Sequence, residues 1–385
     1  MLEQIEKIDW ANLKHAYGSA ADVPNDIRNL TSPDNEIRDK AFYNLYGNIF
    51  HQGTRYEATP HAIPFLYELI ENESVEDKHK IIFLLVNLAL GYAEEYLPEG
   101  INPEKFRNEL MEGEVNMTDE QKENCEKYGY STTALINCYD FVKEGIPILL
   151  KCLKSEDEKI RKAALYATSW FPEEAENSVP KIIEVLSQIE GELEIANVVL
   201  AIGLLSKQSK KNIDLSPINY YLKSDSRLVR ICSAIALAKS PIDEEILETL
   251  IEGIKSGESL NYVEGMLFNG GRVSGYASTT LSKYGKNEKE KIIPVLCKVL
   301  ESVNSYQALD ITFSIMSIIN DKRTKPIKDE KLEDLGSLEI KVLNSIYEHG
   351  GWTLGTGGFI NYFELLRSAG IHDSKKELGK YLKKK

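Results

Sequence analysis

Cysteine is scarce in this sequence, and no two cysteines have the spacing of a metal-binding or redox pair. The chain of 385 residues has five, and none belongs to a C-x-x-C motif. An odd, widely spaced set disfavours a disulfide framework and a zinc site. We therefore expect small buried side chains in a reducing cytoplasm. The five are Cys125, Cys138, Cys152, Cys232 and Cys297.

Long apolar runs are also missing. The longest, IIFLLVNLALGYA over residues 81–93, is shorter than the roughly 20 residues that a membrane-spanning helix needs. It predicts a buried helix and no membrane association. The first residues have neither a basic start nor an apolar run, so no signal peptide is expected.

Basic residues are outnumbered, because 46 Lys and Arg face 60 Asp and Glu, which gives a formal charge of −14. Such a surface repels phosphate backbones and disfavours nucleic-acid binding. It favours a basic protein partner.

Catalytic motifs are absent from the sequence. It has no G-x-S-x-G, Walker, zincin or kinase pattern. The glycine-rich segments 269–279 and 350–358 fit no phosphate-binding loop, and we interpret them as loops. Trp352, in the second, is expected to cover a core. The sequence therefore predicts no enzymatic activity, no cofactor and no metal.

One phrase recurs three times: LTSPDNEIRDKA from residue 30, LKSEDEKIRKAA from 153 and LKSDSRLVRICSA from 222. In each, a Leu is followed two residues later by Ser, an Arg stands six residues after the Ser, and a small residue follows three positions later. The arginines are Arg38, Arg161 and Arg230.

A second mark is a proline six residues before a Leu or Ile. The intervals between these prolines fit whole multiples of a period of about 33 to 41 residues. We expect each proline in the first turn of a helix, where its missing N–H costs nothing. The prolines are Pro24, Pro64, Pro147, Pro180 and Pro294.

Together these marks predict a repeated helix–turn–helix unit. The Ser-x-Asp step is typical of a turn and N-cap, and the Arg one helical turn later can reach a carboxylate. The three arginines are thus expected to stabilise the fold and not to bind a partner. One unit cannot bury its apolar face alone, so the units must stack.

The proline, the Leu-x-Ser-x-Asp turn and the Val/Ile-Arg-x-x-Ala start of the second helix resemble the HEAT-repeat family and the related phycobilin-lyase-like short helical repeats. The resemblance covers roughly residues 20–90 and 145–320. It implies an all-α, right-handed superhelical solenoid of about eight to ten helix pairs. An ordinary helical bundle is the alternative.

A narrower resemblance covers Trp10 to Leu69. The segments IDWANLKHAYG and HQGTRYEAT are similar to those of a group of bacterial HEAT-repeat proteins of largely unassigned function. This similarity supports the fold and implies no reaction.

Four regions follow from these patterns. Residues 1–90 and 146–325 are predicted to hold repeats, residues 91–145 to form an acidic insertion and residues 326–385 to form capping helices. Residues 94–127 hold eleven acidic and four basic residues. This stretch is either a helical excursion or a mobile acidic lobe.

The segment HQGTRYEAT, residues 51–59, is chemically varied. It fits an inter-repeat loop, a partner contact or, less simply, acid–base chemistry. We predict a protein-binding scaffold or adaptor. The alternatives are an immunity protein that masks a toxin and a DNA-glycosylase-like protein that acts on damaged DNA. The candidate contact residues are His51, Gln52, Arg55, Tyr56, Glu94, Glu95, Glu112 and Glu114.

Overall fold

The computed structural model describes residues 1–255 and 257–384. The described chain is mostly helical, and its strands form only three hairpins with two residues in each strand. The prediction of an all-α protein is confirmed. The chain divides into two compact units. Unit 1 comprises residues 1–189 and 204–214, and unit 2 comprises residues 190–203 and 215–385.

The helices of unit 1 are α1 (Val23–Asn29), α2 (Asn35–Asn48), α3 (Thr59–Glu71), α4 (Lys78–Leu90), α5 (Pro103–Val115), α6 (Asp119–Tyr128), α7 (Thr132–Glu144), α8 (Ile146–Cys152), α9 (Glu158–Thr168) and α10 (Ala175–Leu186). Helix α11 (Glu192–Lys207) contributes residues to both units.

Unit 2 continues with α12 (Ser216–Asn219), α13 (Arg227–Leu237), α14 (Glu244–Lys255), α15 (Val273–Tyr284), α16 (Lys289–Leu300), α17 (Ser305–Ile319), α18 (Ser337–His349), α19 (Ile360–Ser368) and α20 (Lys375–Tyr381). The strands are β1 (Lys14–His15), β2 (Gly18–Ser19), β3 (Phe50–His51), β4 (Thr54–Arg55), β5 (Thr353–Leu354) and β6 (Gly357–Gly358).

The recurring phrase forms the same turn three times. Its serine hydroxyl accepts the amide N–H two residues later at 3.1–3.2 Å, before α2, α9 and α13. The following N-cap side chain, Asp34, Asp157 or Ser226, accepts an N–H of the first helical turn. The predicted turn and N-cap are therefore both present, and they end the preceding helix and start the next.

The arginines bind backbone carbonyls of the turn, and two of them also reach a carboxylate as expected, since Arg38 binds Asp77 and Arg230 binds Glu252. Nη1 of Arg161 donates to the carbonyl oxygens of Ser155 and Glu156 at 2.7 and 2.8 Å. Arg38 and Arg230 make the same pair of bonds to the residues six and five positions before them. The aspartate oxygen is occupied by the helix amide, whereas the turn carbonyls are free to accept.

The prolines occupy two different helix positions. Pro24 and Pro147 are the second residues of their helices, as expected. Pro64, Pro180 and Pro294 are each the sixth residue, so the first-turn expectation is wrong for these three. The carbonyl that each of them leaves without a bond belongs to the second residue of the helix. The disturbance thus stays at the helix start and the helix continues.

The core of unit 1 is centred on α4. Its apolar run is buried between α3, α7 and α9, which confirms the prediction of a buried helix for this segment. Helix α7 packs on α3 and α4, and the Tyr67 hydroxyl donates to the Val142 carbonyl at 2.7 Å. The last part of residues 91–145 therefore belongs to the core of unit 1.

The first part of residues 91–145 is exposed. Helix α5 buries only Phe106 among its side chains, and α6 buries none. Arg107 of α5 forms a double hydrogen bond with Asp140 of α7 at 2.7 and 3.0 Å. This pair ties the outer helices to the core.

In unit 2, α15 packs between α14 and α17. The hydroxyls of Ser278 and Ser314 meet at 2.9 Å in the buried contact between α15 and α17. The second glycine-rich segment forms the β5–β6 hairpin, and Trp352 beside it is buried with its indole N–H on the Ile346 carbonyl at 2.9 Å.

We predict that replacing a turn-binding arginine destabilises unit 1, and that the loss is larger for the more buried Arg38 than for Arg161. Arg38 is 7% exposed and also binds Asp77, so Arg38→Ala should cost about 3 kcal/mol. Arg161→Ala should cost about 1–2 kcal/mol, because this arginine is only half-buried and binds two carbonyls. Urea unfolding measures both.

The control is Lys151→Ala, which removes a highly exposed ion pair with Glu71 and should leave the unfolding midpoint unchanged. Equal stability of Arg38→Ala and the wild type would contradict a structural role for this arginine.

We also predict that acid weakens unit 1 through His61. Its imidazole lies edge-on to Trp10 with ring centroids 6.4 Å apart, and burial lowers the pKa of His61. Below about pH 6.5 the unfolded chain therefore binds more protons here than the folded chain. The free energy of unfolding should fall as pH drops through this window, and His61→Gln should reduce that slope.

Unfolding midpoints measured between pH 7.5 and 5 test the effect. His79 has a pKa that burial also lowers, so part of the slope should remain in the variant. His372→Gln in unit 2 is the matched control. A His61→Gln protein with the full wild-type slope would contradict the assignment.

Candidate functional site

Two β-hairpins lie side by side in unit 1. The first joins β1 to β2 and the second joins β3 to β4. The Ala16 amide in the first turn donates to the carbonyl of Asn48, just before β3, at 3.0 Å. This bond holds the hairpins together, so residues 14–19 and 50–55 form one surface, called here the hairpin surface.

The tip of the hairpin surface exposes polar and aromatic groups. Gln52 and Gly53 both have positive φ, +50° and +86°, as a tight two-residue hairpin turn requires. The Tyr17 ring is 70% exposed and lies edge-on to His51 with centroids 5.4 Å apart, and the Tyr17 hydroxyl is 3.3 Å from His51 Nδ1. His51 and Gln52 thus remain accessible to a partner.

Arg55 lies beneath this surface. It is 8% exposed, its Nη1 donates to the Gly53 carbonyl at 2.7 Å, and its Nε is buried without a hydrogen-bond partner. Burial lowers the pKa of Arg55. No carboxylate of the described residues forms an ion pair with it, although unit 1 is acidic. Arg55 therefore supports the hairpin from below.

Tyr56 is also buried, with 3% of its surface exposed. Its ring lies 5.4 Å from that of Tyr130, and burial raises the pKa of Tyr56 to about 12. The amide of Glu57 donates to the carbonyl of Gly129 at 2.9 Å. The chain that leaves α6 is thereby attached to the hairpin surface.

The four acidic candidates all lie on the exposed part of unit 1. Glu94 and Glu95 precede α5 in a short 3₁₀ helix, and Glu112 and Glu114 lie in the last turns of α5. The loop before α5 and the helices α5 and α6, residues 94–128, are called here the acidic arm. Lys14 Nζ of the first hairpin donates to the carbonyl of Glu126, so the end of the arm lies against the hairpin surface.

A hydrogen-bond network lies under the first hairpin, and no sequence pattern marks it. His15 is buried, accepts the Tyr17 amide at Nδ1 and therefore carries its proton on Nε2, 2.9 Å from Asp22. Asn48 donates to the other oxygen of Asp22 at 2.9 Å. The His-Ala-Tyr-Gly segment noted above carries this geometry, but its sequence alone does not reveal the partner carboxylate.

The negative charge is divided unevenly between the units. By sequence, unit 1 has 35 acidic and 22 basic residues, whereas unit 2 has 25 acidic and 24 basic residues. Nearly all of the acidic excess thus belongs to the unit that carries the hairpin surface and the acidic arm.

The described residues contain no cluster of three or more His, Cys, Asp or Glu side chains that could hold a metal ion. No helix among them is both long and apolar enough to cross a bilayer. No known family model matches the chain, and no curated protein matches it.

Gly91 lies against Arg55, so a substitution at Gly91 tests how closely the β3–β4 hairpin packs on the rest of unit 1. It has φ +75°, and a methyl group on its Cα would lie 2.6 Å from Arg55 Nη1. Gly91→Ala should therefore destabilise unit 1 by about 2–3 kcal/mol, from backbone strain and displacement of the guanidinium. Thermal and urea unfolding measure the loss.

Gly113→Ala is the matched control, because Gly113 lies inside exposed helix α5 with open space around it. That change should raise stability slightly, by about 0.5–1 kcal/mol. If Gly91→Ala were as stable as the wild type, the packing of Arg55 against residue 91 would be contradicted.

Proposed function

We propose that this chain is a non-enzymatic scaffold or adaptor that binds a basic protein through unit 1. The observation that carries the proposal is the acidic arm, an exposed pair of helices that meets the exposed hairpin surface. The partner would contact both features, because they lie against each other. Lys14 of the first hairpin binds Glu126 of the arm, and Tyr56, just after β4, packs on Tyr130, just after the arm.

The charge of the acidic arm supports a basic partner. The described acidic side chains of α5 and α6 are exposed, and α6 buries no residue that would explain its presence as part of a core. The negative electrostatic field of such a surface attracts a basic surface and raises the association rate more than the final affinity.

Exposed apolar side chains on the arm supply anchors. Val115 is 80% exposed and Met111 is 47% exposed, exposed Tyr128 ends α6, and exposed Tyr130 follows two residues after the arm. Aromatic and methionine side chains are enriched at protein interfaces, where a few of them carry most of the binding energy. A surface of acids with a few such anchors suits a protein better than a small ligand.

We further propose a HEAT-like solenoid of helix pairs in a right-handed superhelix. Its support is the threefold recurrence of one helix–turn–helix unit with the same arginine-to-carbonyl bonds at Arg38, Arg161 and Arg230. Stacked repeats of this kind provide extended surfaces for polypeptide partners.

Removing charge from the arm tests the function. We expect the full-length protein to capture one or a few basic proteins from a lysate of its source at about 0.1 M salt, where the Debye length is about 10 Å. A variant with four charges neutralised should lose this capture while its unfolding midpoint stays unchanged. The four changes are Glu112→Gln, Glu114→Gln, Glu120→Gln and Glu123→Gln.

The matched control neutralises four exposed glutamates of unit 2 and should retain capture. Its changes are Glu288→Gln, Glu290→Gln, Glu333→Gln and Glu364→Gln. Equal capture by both variants, or capture that high salt does not weaken, would contradict the proposal. A captured toxin that attacks nucleic acid would favour the inhibitor form of the function.

A further inference from the structure

Unit 2 contains a cavity that the proposed function does not use. It has a volume of about 200 Å³ and lies between α15, α17 and the segment that follows α14. An adjoining hollow of about 350 Å³ shares part of its wall, including Ile254, Val303 and Asn304. The first glycine-rich segment of the sequence forms one side of this cavity.

Gly275 lies against the half-buried acid of the cavity, Asp310. A Cβ at this position would lie 2.8 Å from an oxygen of Asp310, so any larger residue would displace the carboxylate from its present position. Both Asp310 oxygens accept from Nη1 of Arg272, at 2.9 and 3.1 Å. The carboxylate is thus already bound to protein, and the other guanidinium nitrogens of Arg272 make no hydrogen bond with the described residues.

The side-chain amides of Asn304 and Gln307, in the cavity wall, each have a fixed orientation. Asn304 Oδ1 accepts the Gln307 amide at 3.1 Å, and Gln307 Oε1 accepts the Asn304 amide at 3.0 Å. Of the two ends of a side-chain amide, only the oxygen can accept from a backbone N–H, so these bonds fix the orientation of both side chains. Their NH₂ groups donate to no described residue.

The cavity therefore presents several donors, while its carboxylate and its amide oxygens each already accept a hydrogen bond from the protein. Asn261 Oδ1 is likewise engaged, by the Ser274 hydroxyl at 2.9 Å. A ligand that must donate several hydrogen bonds, such as a polyol or an amine, finds few strong acceptors here. A ligand that accepts them finds the guanidinium and the amide NH₂ groups.

Charge and aromatic surface point the same way. The described side chains around the cavity and the hollow include Arg272 and Lys255, and Lys298 paired with Glu301 outside the wall, but only one carboxylate, that of Asp310. Tyr262 and Tyr306, which line the cavity, are 69% and 57% exposed and offer apolar ring surface.

We propose that this cavity binds a small anionic molecule through a carboxylate or phosphate group. Arg272 and the NH₂ groups of Asn304 and Gln307 would bind the anionic oxygens, and the two tyrosines would contact the remainder. The site belongs to unit 2, so its existence does not depend on the protein partner proposed for unit 1.

Three probes test the ligand class on the full-length protein: benzoate, inorganic phosphate and the uncharged benzyl alcohol. Methyl NMR of isoleucine-labelled protein should show saturable shifts at Ile254 and Ile311, which line the cavity, with benzoate or with phosphate. Benzoate alone would assign a carboxylate ligand with an apolar body, and phosphate alone a phosphorylated ligand. No saturable shift with either anion, or equal shifts with benzyl alcohol, would overturn the proposal.

The double variant Asn304→Asp, Gln307→Glu is the sharpest test. Aspartate and glutamate keep the oxygens that cap α17, so the unfolding midpoint should not change. Both NH₂ donors are replaced by negative oxygen, so anion affinity should fall at least tenfold. A folded double variant with wild-type affinity would overturn the assignment.

Arg272→Gln should weaken anion binding to a similar degree. Arg367→Gln, which removes an exposed ion pair with Asp373 elsewhere in unit 2, is its control and should bind as the wild type does. Equal loss in both variants would show that general charge, and not this cavity, attracts the anion.

Discussion

A short turn between two helices leaves carbonyl oxygens at the end of the first helix without partners, and this constraint shapes the fold. The chain meets it with an arginine from the second helix, whose Nη1 binds two turn carbonyls. The remaining guanidinium nitrogens are then free to reach beyond the turn. Arg38 binds Asp77 just before α4, and Arg230 binds Glu252 on α14. A lysine has no planar fork and could not join both sets of acceptors in this way.

The two units use this helical framework for different surfaces. Unit 1 carries almost all of the acidic excess and projects the acidic arm, which is tied to the core by Arg107 and Asp140. Unit 2 has nearly balanced charge and contains a cavity whose carboxylate and amide oxygens already accept hydrogen bonds from the protein. The net charge of −14 conceals this division, because electrostatic interactions extend over about a Debye length and not over a whole chain.

Burial separates the residues that shape the hairpin surface from those that a partner can touch. Arg55 and Tyr56 lie below it and hold the β3–β4 hairpin in place, whereas Gln52 and Tyr17 remain at the tip. Keeping an arginine buried without a carboxylate partner costs free energy. The hairpin offsets part of this cost through the Gly53 carbonyl, and the tight approach at Gly91 leaves the guanidinium its space.

The sequence by itself determined the helical class, the buried helix within residues 81–93 and the turn with its N-cap, because these depend on spacing along one chain. It also marked Arg38, Arg161 and Arg230 as residues of one kind. It did not determine that they bind carbonyls, that Pro64 lies inside a helix, or that α7 belongs to the core. The network of His15 with Asp22, the burial of Arg55 and the cavity at Asp310 were likewise decided only by the tertiary structure. Such features depend on which distant groups meet and which acceptors are already occupied, and no local pattern encodes that.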